Sequence, residues 1–292
     1  YQESDGLVEE GVLSCPACAD WYRIEQGIAD LLPLSLRRQD RQQAFAARHG
    51  LPLRDAQGEK SSQKADQVEF FIHSSTTYED EITKSPYFMA LDAIVFAPWV
   101  RGSVVAGGRI LEIGCGSGRQ SLPMAQAGAD VLGVDISEEM LRVARAKATR
   151  EGQLRTSNFI VADAENLPLP PESFDGLVMV GALHHMESPE RVFGSAAKAL
   201  RQGGRFFIYD PHDSPLRFLF DWLMKVCTLY EEEAGDDFLF REEQMRGYFA
   251  KLGLTGKVQI STYLPPHLFY LFGQGFNRAL LRATDALCGA IP

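Results

Sequence analysis

The sequence predicts an α/β protein whose sheet is doubly wound and mostly parallel. Short apolar segments suited to strands lie at residues 109–113, 131–134, 158–161, 175–180 and 205–209. Stretches with helical character separate them at residues 118–127, 137–150 and 188–200. The first strand also runs directly into a glycine-rich turn, "EIGCGSG". Alternation of this kind places helices on both faces of a parallel sheet.

The composition is that of an ordinary globular protein. The 292 residues are 45% apolar and 23% charged, and a chain of this length can bury a full core without covalent crosslinks. No uninterrupted apolar run reaches the roughly 18 residues that a membrane span needs. We therefore expect a soluble protein without a membrane span.

The net charge and the cysteine content limit which binding partners and which cellular compartment are expected. A formal net charge of -10 opposes approach to a phosphate backbone, so nucleic acid is disfavoured as the substrate. The five cysteines are odd in number and widely spread, which favours a reducing compartment and predicts the cytoplasm. The chain begins at Tyr1 rather than at a methionine, and no signal-peptide pattern is visible.

Three segments are predicted. Residues 1–36 form a small N-terminal unit of short strands around a Cys-x-x-Cys turn, and residues 37–69 are polar and charged, as in a linker or a loosely packed helix. The main domain covers residues 70–292, with a helical lid insertion at about residues 212–240. The strand that would return antiparallel at the end of such a sheet is not visible after "KVQISTYL", so it lies beyond the sequence or the C-terminal stretch is remodelled.

The glycine turn excludes two common nucleotide sites. The glycines stand at alternate positions, Gly114, Gly116 and Gly118, where the backbone can pass close to a ligand. The dinucleotide pattern Gly-x-Gly-x-x-Gly is not met, because Arg119 stands where its last glycine belongs. No Gly-Lys-Ser/Thr follows, which excludes a phosphate-binding loop of that kind.

The stretch "LEIGCGSG" resembles the first motif of the class I S-adenosylmethionine-dependent methyltransferases. In that family an acidic residue, here Glu112, precedes a glycine loop that cradles the methionine part of the cofactor. The resemblance covers roughly residues 70–260 and implies a Rossmann-like class I methyltransferase fold. Cys115, within the loop, is predicted to be a small filler rather than a nucleophile, since no histidine is adjacent in sequence.

Two further acids match the family at the expected intervals. Asp135 closes the second strand in "VLGVDIS", where a carboxylate can accept hydrogen bonds from both ribose hydroxyls. Asp163 follows the third strand in "FIVADAENLPLP", where the resemblance implies an acid that faces the adenine amino group. Each acid alone could equally be an N-cap of the next helix. The predicted cofactor-binding residues are Tyr78, Glu112, Gly114, Cys115, Gly116, Gly118, Asp135, Ile136, Asp163, Ala164, Val180 and Gly181.

The cofactor's sulfonium already activates the methyl group, so the protein mainly has to align a nucleophile and exclude water. For an oxygen nucleophile a general base helps, and His184 and His185 follow the fourth strand on the predicted rim. The alternative is that His185 only anchors its loop. Tyr78, in "TTYEDEI", resembles a tyrosine that closes over the cofactor in related enzymes, and a half-exposed helix residue is the other interpretation.

The predicted lid contains "PLRFLFDWLMKV". Arg217, Asp221 and Lys225 recur every four residues and predict one ion-paired polar stripe, whereas apolar side chains cover the rest of the helix, which should be buried on most sides. Such a lid suits an apolar or aromatic acceptor, but a homodimer interface or plain core packing explains the same residues. Residues 263–290 carry a second apolar stretch with the same ambiguity, and "EEEAGDD" is predicted to be a solvated loop.

Cys15 and Cys18 resemble the second half of a small zinc-ribbon family that includes an activator subunit of several methyltransferases. The first Cys-x-x-Cys of that pattern is absent here. Zinc needs four ligands, so these two cysteines bind the metal only together with a pair from further upstream.

The motifs together predict an enzyme that transfers a methyl group from S-adenosylmethionine to an oxygen, carbon or nitrogen of a small molecule. An RNA base methyltransferase is the second hypothesis, and the acidic balance counts against it. The third is a non-catalytic scaffold that binds the cofactor or a partner protein.

Overall fold

The computed structural model describes residues 1–4, 6–17, 20–53, 62–167, 169–213, 217–228, 239–262 and 264–290. Their strands form one sheet in the order β1-β2-β3-β4-β7-β6-β5-β8-β9. The strands are β1 Gln2–Ser4, β2 Leu7–Ser14, β3 Trp21–Glu25, β4 Ile28–Asp30, β5 Arg109–Ile113, β6 Asp130–Asp135, β7 Ser157–Val161, β8 Phe174–Val180 and β9 Leu200–Tyr209. The first four strands pair antiparallel, and the sheet is parallel from β4 to β9.

Helices cover the parallel part of the sheet. They are α1 Gln39–His49, α2 Ser62–Lys84, α3 Pro86–Leu91, α4 Ala97–Ser103, α5 Ser121–Gln126, α6 Glu138–Arg150, α7 Pro189–Ala199, α8 Arg217–Val226, α9 Glu242–Lys251 and α10 Gln274–Ala290, with a π-helical turn Asp92–Phe96 between α3 and α4. None of the helices in the described part of the chain combines the length and apolarity needed to cross a bilayer.

Helix α6 shows how sequence and packing agree. The Ser137 hydroxyl caps its N-terminus by accepting a hydrogen bond from the Met140 amide at 3.3 Å. Leu141, Ala144 and Ala148 recur at intervals of three and four, are fully buried, and pack with Phe159 of β7 in one core cluster. The helix therefore buries one face against the sheet and orders the turn after β6.

The α/β fold class is confirmed, and the five predicted strands correspond to β5 to β9. The N-terminal unit differs from a separate knuckle, because β4 pairs parallel with β7 through Ala29 and Ile160 and so extends the main sheet. The predicted linker contains α1 and the beginning of α2. Its residues 54–61 lie outside the described part, and the domain boundaries stay predictions. No strand follows β9 in the described residues; α10 instead packs against α3.

A buried ion-pair network joins the N-terminal strands to α6. Arg23 on β3 is 2% exposed and donates to Asp30 at 3.0 Å, to Glu25 at 2.9 Å and to both carboxylate oxygens of Glu138. Burial alone would raise the pKa of Glu138, but the hydrogen bond and charge of Arg23 outweigh it and lower the pKa to about 2. Glu138 therefore stabilises the fold above its usual pKa, and this contribution is lost as the pH falls toward 2.

Replacing Arg23 with alanine should lower the free energy of unfolding by about 3–5 kcal/mol, because it leaves Asp30 buried without its ion-pair partner and removes the most buried of the three arginines that pair with Glu138. Urea unfolding at neutral pH measures this. Arg201→Ala is the matched control: Arg201 pairs with Asp175 at 2.6 Å, but both side chains are exposed, so the loss should stay within about 1 kcal/mol. Equal losses in the two variants would contradict the structural role of the buried network.

Candidate active site

A cavity of about 570 Å³ opens at the carboxyl ends of strands β5 to β9. In a parallel sheet these strand ends meet at one edge, and ligands of such folds bind there. The volume lies within the range of about 300–1,000 Å³ that is usual for small-molecule and cofactor sites. Helices α2, α3 and α8 and the segment around Pro265 complete the wall. The cavity is the best candidate for a functional site on geometric grounds.

The glycine turn forms the floor of the cavity. Gly114 has a φ of +68°, and a Cβ built on it would lie 2.3 Å from the Cβ of Ala182, so only glycine fits there. The amides of Gly114 and Cys115 both donate to the Val134 carbonyl, at 2.8 and 3.1 Å. The turn is thereby held against β6 with its backbone facing the cavity.

Asp135, at the end of β6, fixes this turn. One carboxylate oxygen accepts the Gly116 amide at 2.8 Å, and the other accepts the Ser137 amide at 2.9 Å. A carboxylate held by two backbone donors keeps a defined orientation toward the cavity that it lines. Its remaining acceptor capacity suits hydroxyl donors of a ligand.

Asp163 lies at the neighbouring strand end and is held by Lys64 of α2. Lys64 Nζ lies 2.8 Å from Asp163 and 3.4 Å from Glu165, and the Asn166 amide donates to Asp163 at 2.6 Å. Burial would raise the pKa of Asp163, but the hydrogen bonds from Lys64 and Asn166 outweigh it and lower the pKa. The carboxyl is therefore ionised at neutral pH.

Two predicted cofactor residues do not line the cavity. Glu112 is 1% exposed and accepts a hydrogen bond from the Ser121 hydroxyl, so it joins the end of β5 to the start of α5. Gly118, with a φ of +79°, faces Ala144 of α6. The spacing of the sequence places Glu112 and Gly118 in the motif. Whether each residue faces the cavity or the core depends on how β5, α5 and α6 pack together. Contact of either residue with a cofactor stays a prediction.

Burial raises the pKa of Glu112 to about 8, although the Ser121 hydrogen bond and the charge of Arg119 oppose the shift. An acid whose pKa is higher in the folded than in the unfolded state loses stabilisation as the pH rises from the unfolded to the folded value. Through this group, the free energy of unfolding should therefore be roughly 3 kcal/mol lower at pH 8 than at pH 5.

Glu112→Gln should abolish that part of the pH dependence, because glutamine keeps the acceptor for Ser121 and does not ionise. The stability advantage of the variant over the wild type should grow between pH 5 and pH 8. Chemical denaturation across this pH range measures it. Glu151→Gln is the control, because it changes an exposed carboxyl. Its free energy of unfolding should vary with pH in parallel with that of the wild type. If the free energy of unfolding of Glu112→Gln also varied with pH in parallel with the wild type, the predicted effect of the buried Glu112 carboxyl on stability would be disproved.

The predicted thiol role of Cys115 agrees with its surroundings. The side chain is 4% exposed, and burial raises the pKa of the thiol well above its ordinary value. The acids Asp135 and Glu112 act in the same direction. A protonated, enclosed thiol fills space and is not an activated nucleophile.

His184 is held against Asp210, which directly follows β9. Its Nδ1 lies 2.7 Å from Asp210 Oδ1, and its backbone amide donates to the same oxygen at 3.1 Å. His185 stacks on it, with ring centroids 3.7 Å apart, and both histidines line the cavity. A histidine oriented by a carboxylate on one nitrogen can accept a proton on the other.

The rest of the cavity is lined by aromatic and polar groups. Tyr87 of α3 and Tyr209 of β9 join their hydroxyls at 2.9 Å, and burial raises the pKa of both phenols. His212 also lines this part, and burial lowers the pKa of its imidazole. Two phenols and the neutral imidazole of His212 among apolar walls suit an uncharged aromatic or hydroxylated ligand.

Helix α8 forms one wall but differs from its prediction. Arg217 and Phe220 line the cavity. Arg217 pairs with Asp221 at 2.6 Å, as the predicted polar stripe requires, whereas no ion pair of Lys225 is seen among the described residues. The expectation that the apolar side chains are buried on most sides was wrong, because Phe218 and Trp222 are largely exposed. The helix packs on the body through one side only. The run "EEEAGDD" lies outside the described residues.

The structure brings most predicted site residues to one cavity. Those that line it are Tyr78, Gly114, Cys115, Gly116, Asp135, Ile136, Asp163, Ala164, Val180, Gly181, His184 and His185. Their contact with a cofactor stays a prediction. Sequence reasoning missed Asp210, although it directly follows β9, close to the position that Asp135 takes at the end of β6. It also missed Lys64, which lies in a segment predicted to be a linker and carries no motif.

The predicted zinc ligands stay untested. Cys15 is half-buried in the turn after β2, and Cys18 lies outside the described residues. Among the residues that the structure does describe, no group of three or more histidines, cysteines and acids is arranged to hold a metal ion.

Comparison with known proteins identifies the family and the cofactor of this chain. Residues 111–208 match the family model of a methyltransferase domain. The ubiquinone biosynthesis O-methyltransferase of Pseudomonas fluorescens is 30% identical over 176 residues, which cover 57% of this chain and 74% of that protein. The chain belongs to the class I S-adenosylmethionine-dependent methyltransferases. Its cofactor is S-adenosylmethionine, and the residues at the strand ends fit it, because a side-chain-free turn and two carboxylates face one cavity.

Other methyltransferases match over shorter stretches. Methyltransferase GfsG of Streptomyces halstedii is 37% identical over 111 residues, or 38% of this chain and 40% of that protein. The chain spans about half the length of most of the curated relatives that it matches. Among solved structures, phosphoethanolamine N-methyltransferase 2 of Haemonchus contortus shares the fold with a TM-score of 0.54, at 20% identity over 80% of this chain and 57% of that one.

Proposed function

We propose that this methyltransferase transfers a methyl group from S-adenosylmethionine to a hydroxyl oxygen of an apolar or aromatic small molecule. The observation that carries the proposal is the His184–Asp210 pair, 2.7 Å apart, in the wall of the cavity that also contains the glycine turn. A hydroxyl becomes a good nucleophile when a positioned base accepts its proton as it attacks. The cytoplasm stays the predicted compartment.

The residues at the strand ends would hold the cofactor. Asp135 would accept from the ribose hydroxyls, Asp163 would face the adenine, and the turn from Gly114 to Gly116 would approach the amino-acid part. When bound, S-adenosylmethionine supplies a methyl group already activated on a sulfonium. The chain's own task is to orient the acceptor oxygen and to exclude water from the cavity.

His184 would take the proton from the acceptor hydroxyl through the ring nitrogen that does not contact Asp210. Asp210 would act as a positioning residue, since it fixes the ring through Nδ1 and the backbone amide. The walls support an apolar or aromatic acceptor, because Tyr87, Phe220 and Leu264 line this side. The Pseudomonas fluorescens relative, an O-methyltransferase of ubiquinone biosynthesis, supports the same acceptor class.

Methyl-labelled S-adenosylmethionine and a crude cell extract, separated into RNA, protein and organic-soluble fractions, test the proposal. We expect label in organic-soluble molecules, and mild base treatment should leave it attached, as ethers resist hydrolysis. Label confined to RNA would favour base methylation instead. Binding of S-adenosylhomocysteine without transfer to any fraction would favour a non-catalytic scaffold, and either outcome would overturn the proposal.

A further inference from the structure

Helix α2 covers part of the cavity with a face that is polar at its N-terminal end. Lys64, Gln67, Tyr78 and Ile82 line the cavity, and their positions along the helix place them on one side of it. Lys64 and Gln67 are also buried. A helix that only packs on a core carries apolar side chains on its buried side. The polar end of this face therefore indicates a polar partner in the cavity.

Polar contacts hold the N-terminal half of α2 to the body. Of the α2 side chains whose surroundings the structure describes, none belongs to a buried core cluster, although the helix touches α6 and α3. Lys64 pairs with Asp163 and Glu165, and the Gln67 amide donates to the His185 carbonyl at 2.7 Å. An element with little buried apolar surface opens at a lower free energy than the core. We therefore expect α2 to open more readily than the sheet.

The contacts of Asp163 leave acceptor capacity on one of its oxygens. Oδ2 accepts hydrogen bonds from Lys64 Nζ at 2.8 Å and from the Asn166 side-chain amide at 2.6 Å. Oδ1 accepts one from the Glu165 backbone amide at 3.0 Å. Each carboxylate oxygen has about two acceptor sites, so among the described contacts the spare site lies on Oδ1. Lys64 and an amino group of a ligand can therefore bind the same carboxylate without competing.

Lys64 also balances the charge at this end of the cavity. Asp163 and Glu165 both line it, and two neighbouring carboxylates repel one another unless a cation lies beside them. Lys64 Nζ lies 2.8 Å from the first and 3.4 Å from the second. A charge-assisted hydrogen bond also fixes the direction of the carboxylate that accepts it. Opening of α2 would remove both effects from Asp163.

We infer that Lys64 is a positioning residue for the cofactor, which holds Asp163 for the adenine amino group and so couples cofactor binding to closure of α2. This role rests on the proposed position of the adenine beside Asp163, but not on the identity of the acceptor. Closed α2 presents the oriented carboxylate, so the closed state binds the cofactor more tightly than the open state. By linkage, the bound cofactor stabilises the closed helix to the same extent.

Two other roles for Lys64 make different predictions. If Lys64 only tied α2 to the body, its loss would lower stability and leave the affinity for the cofactor unchanged. If Lys64 touched the ligand itself, its effect on affinity would not depend on the charge of Asp163. Binding measurements on single and double variants distinguish these roles from positioning through Asp163.

Calorimetric titration of the full chain with S-adenosylhomocysteine measures the effect. Lys64→Met should weaken binding at least about tenfold, because Asp163 loses a hydrogen bond from a charged donor. Lys84→Met is the matched control: Lys84 ends the same helix and pairs with Asp80 at 2.8 Å, but both side chains are exposed. Its affinity should stay within about twofold of the wild type. Wild-type affinity in Lys64→Met would overturn the positioning role.

A double-mutant cycle with Asp163→Asn tests whether Lys64 acts through this carboxylate. On the Asp163→Asn background, Lys64→Met should change the affinity by less than about threefold, because the charge that Lys64 orients is already absent. An undiminished loss on that background would assign direct ligand contact to Lys64 and overturn the inference. Lys64→Arg keeps the cation and should bind more tightly than Lys64→Met, and equal weakness of the two variants would contradict the role of the charge.

Hydrogen exchange of the wild type tests closure without any substitution. Saturating S-adenosylhomocysteine should slow exchange of the α2 amides about fivefold or more, the lower end of usual coupling between sites. Helix α9 does not line the cavity and is the internal reference, whose exchange should stay unchanged. Equal α2 exchange with and without the bound ligand would overturn the coupling.

These measurements need no acceptor, so they separate Lys64 from the proposed function. Wild-type affinity in Lys64→Met, with label transferred to organic-soluble molecules, would overturn the role of Lys64 and leave the proposed function standing. The expected loss of affinity without any transfer of label would do the reverse.

Discussion

Asp135→Ala should weaken binding of S-adenosylhomocysteine by about 100-fold or more. Asp135 orients the glycine turn through the Gly116 amide at 2.8 Å and the turn into α6 through Ser137 at 2.9 Å. It is also the predicted acceptor for the ribose hydroxyls. Each hydrogen bond to a charged group contributes about 1.5–3 kcal/mol, and about 1.4 kcal/mol corresponds to tenfold in affinity. Isothermal titration calorimetry measures the loss.

Asp130→Ala is the control for this change. Asp130 begins the same strand, β6, at the end opposite to Asp135, and it does not line the cavity. Its removal should leave the affinity within about threefold of the wild type, a change of less than 0.7 kcal/mol by the same conversion. If Asp135→Ala bound as tightly as this control, the ribose would have to be held elsewhere.

His184→Ala should lower the rate of methyl transfer to the organic-soluble acceptor by about 100-fold or more, which is the usual contribution of a positioned general base. Affinity for S-adenosylhomocysteine should change little, because His184 is predicted to act on the acceptor. Asp210→Asn should lower kcat while leaving KM for S-adenosylmethionine near the wild-type value, since Asp210 only orients the imidazole. Initial rates of label transfer measure both variants.

His185→Ala is the matched control, because its ring stacks on His184 in the same wall. We expect a smaller loss than for His184→Ala. A loss of less than about tenfold in His184→Ala would remove the acid-base role. A large fall in cofactor affinity in either Asp210→Asn or His184→Ala would assign the pair to binding rather than to proton transfer.

The predicted part of the site follows from local spacing. Glycines at alternate positions after a strand require a turn whose backbone is open to a ligand. Gly114, Gly116 and Asp135, which were predicted from that pattern and the next strand end, all line the cavity. Glu112 shows what such a local pattern does not predict. The motif includes it, but its side chain points to Ser121 rather than to the cavity, and direction into the core depends on the helix packed behind the strand.

The missed residues depend on contacts between distant parts of the chain. Lys64 meets Asp163 across 99 residues, and Arg23 meets Glu138 across 115. Neither pairing leaves a periodic or spaced signal in the sequence. Helix α8 is a related case. Its apolar residues predict burial, but a side chain is buried only where another element packs against it. The described residues pack against the side of α8 that carries Phe220, and not against the side that carries Phe218 and Trp222.

By itself, the sequence determined the parallel α/β sheet, the glycine turn and the acids at two strand ends, because local patterns of a few residues predict each strand, turn and helix, and their alternation predicts the parallel sheet. The tertiary structure alone decided that four N-terminal strands extend the same sheet, that Asp210 orients His184, and that aromatic side chains stay in water beside the cavity. These features arise when separate elements pack, and packing selects partners by shape and charge over distances that local patterns do not encode.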